Sequence, residues 1–107
     1  MDGISYTDGE IEQNRLEDRD RVAENRGMTI EEMEAHYMNE VGIHEPLHTS
    51  WIFHENVQGY LAEHPVVVLD PIAYKHVFDA ATALFNLHQH LGRVQHEIVT
   101  DQEKQKD

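Results

Sequence analysis

Apolar residues in this chain recur mostly three and four apart, the spacing of one helix face, and the longest unbroken apolar run is only the four residues 66–69. The longest stripe lies late in the chain. Ala73, Val77, Ala80, Leu84, Leu87, Leu91, Val94 and Ile98 alternate four and three apart, which predicts a helix over about 71–99 with a coiled-coil-like seam. A second row, Tyr74, Phe78, Ala81 and Phe85, widens the apolar face to about 200°. Lys75, Asp79, Gln89, Arg93 and Glu97 fall on the outer face. Asp70 and Pro71 supply a cap and a first-turn proline.

Before it, Pro46 suits the first turn of a helix over about 46–63 that Pro65 ends. Leu47, Trp51, Phe53, Val57, Tyr60 and Leu61 share one arc of that helix. Thr29 followed by Glu32 is a capping-box pattern. Ile30, Met33, Tyr37 and Val41 then predict a helix over about 30–41, with Gly42 as its stop. Residues 66–69 read as extended, a short strand or an apolar linker. With no second strand to pair, a sheet is not expected. Residues 1–9 read as coil, and 10–26 as a helix with no firm apolar stripe, ordering weakly or on a partner.

The fold class is therefore all-α: a small helical bundle built on a helical hairpin (about 46–63 and 71–99) with a shorter helix at about 30–41. Its domains divide as an acidic N-terminal segment 1–28, a helical domain 29–100 and a loose charged tail 101–107. A face of about 200° needs more than one neighbour. One is the preceding helix of the hairpin. The other is the same helix of a second subunit, so the eight seam residues are the expected interface of a homo-oligomer.

Composition narrows the function. The chain has 107 residues, 21 acidic against 8 basic side chains, a formal charge of −13, nine histidines and no cysteine. This length makes one domain with a thin core. Without cysteine there is no disulfide, thiolate metal site or cysteine nucleophile. The charge argues against direct binding to nucleic acid or anionic membranes and favours solubility, partner subunits with a basic surface, or a salty milieu. Residues 1–45 hold 13 acids and 4 arginines, a net of −9, and 46–107 a net of −4. No pattern of a cleaved secretory signal or membrane span stands out, so the expected location is the cytoplasm or a virion.

His44-Glu45-Pro46-Leu47-His48 has the letters of the HExxH zinc motif. That chemistry needs one continuous helix, and Pro46 is expected to break it. His54 falls within the apolar arc of the 46–63 helix, and His88 near the centre of the wide face of the last one. A histidine there needs a hydrogen-bond partner, such as a backbone carbonyl, or a ligand. His54 and His88 are thus the candidate ligands for a transition metal, with no other cofactor expected. No catalytic residues are assigned, because phosphate-binding glycine loops and nucleophile elbows are absent from the sequence.

The expected function is that of a non-enzymatic acidic helical subunit mediating protein–protein assembly, a structural or assembly component of a larger complex such as a phage or viral particle. One alternative is a metal-binding helical bundle using histidine ligands. The other is an acidic mimic of nucleic acid that inhibits a DNA-binding protein.

Overall fold

A computed structural model describes residues 3–105 of the chain. The fold is all-α, with no strand among the described residues. It comprises five α-helices, α1 (Asp8–Asn25), α2 (Ile30–Tyr37), α3 (Glu40–Val57), α4 (Pro65–Leu69) and α5 (Pro71–Lys104), and one π-helical turn, Gln58–Ala62. Two compact units divide the chain, Met1–Met38 and Asn39–Asp107, where the sequence reading draws its boundary at 28/29.

The first unit is a pair of helices. Each starts on a capping box. The Glu10 N–H donates to Thr7 Oγ1 at 3.1 Å and the Thr7 N–H to Glu10 Oε1 at 3.0 Å, and Thr29 and Glu32 repeat the arrangement. Each box satisfies two of the backbone donors a helix start leaves free. α1 therefore starts at Asp8, within the stretch 1–9 expected to be coil, and runs as a continuous helix to Asn25; Met1 and Asp2 lie outside the described residues. It ends where Gly27 turns left-handed at φ 65°. The Met28 N–H then reaches the Ala23 carbonyl and the Gly27 N–H the Glu24 carbonyl, closing a Schellman motif. Ala23 is the buried residue of this unit. Arg26 joins the two helices: its Nη1 donates to Tyr37 Oη at 2.7 Å, and its guanidinium lies 5.3 Å from the Tyr37 ring centre.

The helix expected over 30–41 ends at Tyr37, and Gly42 is not its stop. Asn39 caps a new helix, its Oδ1 accepting the Gly42 N–H at 2.8 Å, so Gly42 lies in the first turn of α3. α3 then runs through Pro46, against the expectation that this proline starts or breaks a helix. Pro46 removes one donor, that owed to the Gly42 carbonyl. A residue without a side chain lets that carbonyl tilt away from the proline ring. The helix expected to reach 63 leaves α geometry after Val57 and finishes in the π-helical turn that contains Gly59.

Residues 66–69 are not extended. They form α4, started by Pro65 at its first position and capped by His64, whose Nδ1 accepts the Val66 N–H at 3.1 Å. Val67, in its middle, is buried. Asp70 Oδ1 then accepts the N–H groups of Ile72 and Ala73 to open α5. That helix continues past the expected end at 99 into the charged tail, as far as Lys104; Lys106 and Asp107 lie outside the described residues.

α3 and α5 form the core of the second unit as an antiparallel hairpin. Three polar contacts fix its register. His54 Nδ1 lies 3.0 Å from the Ala81 carbonyl, His88 Nδ1 2.9 Å from the Leu47 carbonyl, and Gln95 Nε2 donates to the Glu40 carbonyl at 2.9 Å. Positions 40, 47 and 54 on α3 meet 95, 88 and 81 on α5, so both helices advance seven residues per rung. Two helical turns separate such positions on one face.

Candidate functional site

The helices bring His54 and His88 into one aromatic cluster. Trp51 and His54, three apart on α3, meet Phe85 and His88, three apart on α5. The Trp51 ring centre is 5.3 Å from that of His54 and 5.2 Å from that of His88, and His54 is 5.6 Å from Phe85. Both histidines are half-buried. When a neutral imidazole donates Nδ1–H to a carbonyl, its lone pair sits on Nε2. This is the tautomer an Nε2 metal ligand takes, with Nδ1–H held by its outer partner. Among the described residues, however, no three His, Asp or Glu side chains converge as a cluster that could hold an ion. The arrangement does carry structure: each ring covers apolar surface and ties the two helices together by one hydrogen bond.

The eight seam residues split between two environments. Ala73, Val77, Leu84, Leu91, Val94 and Ile98 are half-buried, while Ala80 and Leu87 are exposed. The row that bonds to α3 is Ala81, His88 and Gln95, displaced from the apolar seam. The displacement leaves an aromatic ridge on the other flank: Tyr74 is 46% exposed, Phe78 60% and Phe85 40%. The Tyr74 and Phe78 rings stack with centres 6.5 Å apart. No charged residue lies on this flank from 74 to 96, and the ion pair of Lys75 with Asp79, at 2.9 Å, marks the solvent face.

The first unit holds a feature that sequence reasoning missed. Arg15, Arg19 and Arg26, three of the four bases among residues 1–38, line a groove of about 710 Å³ with Val22, Ile30 and Met33. Their spacing of four, three and four through Val22 is the signal that could have found it. The guanidiniums are partly engaged: Arg15 binds Glu12 and Arg19 binds Asp20. The hydrogen bond from Arg15 holds the Glu12 carboxyl below its usual range and raises the guanidinium in return. A segment expected to present acids therefore gathers its minority charge on one face.

Comparison of this chain with protein-family models, with curated proteins and with solved structures finds no match. Among the described residues, no helix is long and apolar enough to cross a membrane.

Proposed function

We propose that this chain is a non-enzymatic assembly subunit that associates with a second copy of itself through the aromatic ridge of α5. The observation that carries the reading is the exposure of Tyr74, Phe78 and Phe85 on a flank free of charge. Apolar side chains aligned this way favour burial at roughly 25 cal/mol per Å².

Surface area leaves room for a partner. The chain exposes 8704 Å². Two separate compact bodies of the sizes of Met1–Met38 and Asn39–Asp107 would expose about 7300 Å² by surface–mass scaling. The excess of about 1400 Å² exceeds the roughly 800 Å² each partner gives up in a standard interface. An uncharged ridge suits a two-fold contact with its own copy, where a charged ridge would meet like charge. A partner with a basic surface, in contrast, would meet the acids of 1–45 and leave this ridge uncovered.

Sedimentation equilibrium over a wide concentration range tests the reading. The expected result is a reversible dimer or higher oligomer, weakened at least tenfold by Phe78→Glu with helical content unchanged. A monomer at all concentrations, or a Phe78→Glu variant that associates as before, overturns it.

A further inference from the structure

α3 runs unbroken through Pro46. It places His44 and His48 on one helix face, one turn apart. They are the only two of the nine histidines separated by three or four residues, the spacings at which helix side chains meet. Both are exposed. Their ring planes are 2° from parallel and their centres 6.3 Å apart. Two imidazoles bound to one ion at metal–nitrogen distances of about 2.0–2.1 Å have centres no more than roughly 6.5 Å apart. That limit belongs to nitrogens on opposite sides of the ion; neighbouring coordination positions bring the centres to about 4.5 Å, so both side chains must turn to aim one nitrogen each at a common point. With Leu47, Trp51 and His88 the two rings line a hollow of about 300 Å³, which has room for an ion and its water ligands.

We propose that His44 and His48 clamp one late divalent transition-metal ion, Cu²⁺ in preference to Ni²⁺ or Zn²⁺. Imidazole nitrogen suits these ions, while Mg²⁺ and Ca²⁺ require oxygen ligands, and the Irving–Williams order places Cu²⁺ first. His88 stays outside the first coordination sphere, since no three-residue ligand group exists among the described residues. Water completes the coordination. A chain of formal charge −13 also raises the local concentration of cations.

The clamp has a structural effect of its own. It joins residues 44 and 48 across a turn that overlaps the one where Pro46 leaves the Gly42 carbonyl without its backbone donor, so the ion reinforces α3 beside that gap. This site lies on α3 and does not depend on association through the α5 ridge.

The test uses the full chain without an affinity tag, stripped by a chelator and titrated with Cu²⁺, Ni²⁺ and Zn²⁺ by calorimetry. One ion per chain is expected, with Cu²⁺ tightest. His44→Ala and His48→Ala should each lose at least as much affinity as the roughly 10- to 100-fold that loss of an outer-shell partner costs. His76→Ala, an exposed histidine of α5, should bind as before. Cu²⁺ should raise the thermal midpoint of the parent chain and leave that of His48→Ala unchanged. Absence of a stoichiometric signal, full affinity in either clamp variant, or an equal loss in His76→Ala overturns the proposal. Sedimentation of the same variants reads self-association separately, so failure of either proposal is seen without the other.

Discussion

The Nδ1 atom of His88 lies 2.9 Å from the carbonyl oxygen of Leu47, and the His88 ring packs at 5.2 Å against Trp51 of the same helix as that carbonyl. One side chain on α5 thus meets α3 by a polar bond and an aromatic face together. The Leu47 carbonyl also accepts Ser50 Oγ–H at 2.9 Å, so this rung sits within a small polar network inside an apolar interface. The two contributions of His88 separate by substitution. His88→Phe keeps the ring against Trp51 and loses the bond, which should cost about 0.5–1.5 kcal/mol. His88→Ala loses both and should cost more, lowering the thermal midpoint by roughly 4–8 °C per kcal/mol in a domain of this size. A His88→Phe variant as stable as the parent would show that the bond contributes nothing.

Pro46 predicts a gain. A proline inside a helix costs about 3 kcal/mol relative to alanine, and part of that is returned because proline restricts the unfolded chain by up to about 1 kcal/mol. Pro46→Ala should therefore stabilise the protein by about 2 kcal/mol. Urea unfolding should show a raised midpoint with an unchanged slope. A lowered midpoint would mean that the folded α3 backbone favours proline at this position.

Gly92 sits in α5 opposite Leu47. A methyl group added there would lie 3.9 Å from Leu47 Cδ1, an ordinary van der Waals distance. Gly92→Ala should stabilise the helix by about 0.5–1 kcal/mol through backbone entropy alone, again read as a shift in the urea midpoint. Destabilisation would indicate that the helices close more tightly there than the distance implies.

The capping boxes predict a response to acid. The Thr7 backbone N–H, and secondarily its hydroxyl, holds the Glu10 carboxyl below its usual value of 4.5, and Thr29 does the same for Glu32. A carboxyl whose folded value is depressed adds stability above its unfolded value and loses it as pH falls through the folded one. The starts of α1 and α2 should therefore fray below about pH 4.5, seen as a loss of helical circular dichroism at low pH. Replacing both residues by glutamine should remove that step. An acid titration identical in the double variant would rule the boxes out as its origin.

How much of this was legible in the sequence varied with the kind of signal. α5 was plain because its stripe persists through eight positions and Asp70-Pro71 marks its start. The capping box of α2 is legible in Thr29 and Glu32 because an apolar stripe follows it, whereas the same letters at Thr7 and Glu10 introduce no firm stripe. Asn39 is hidden as a cap for a different reason: Val41 continues the preceding period and draws the boundary forward. Pro46 was given more authority than one lost hydrogen bond carries within an 18-residue helix. At 66–69, a run of β-branched residues suggested extension, but Pro65 and the burial of Val67 set a helical turn. Of the site residues, His54 and His88 were placed on apolar faces by helical geometry alone. Their partners lie 27 and 41 residues away, and no local pattern encodes a contact at such range.

The rungs of the hairpin span 27, 41 and 55 residues in sequence, centred on α4. This spacing implies an order of assembly. Closing a loop costs more as it lengthens, but only about 0.6 kcal/mol for each doubling. The His54–Ala81 rung, nearest the turn, is thus the cheapest to form, and each rung shortens the free chain the next must close. Folding should proceed outward from Val67 in small entropic steps, with Gln95 and Glu40 last to meet and first to part. Fraying should then enter the hairpin from the Glu40–Gln95 end, leaving the backbone around the His54–Ala81 rung as the part of the hairpin most protected against hydrogen exchange.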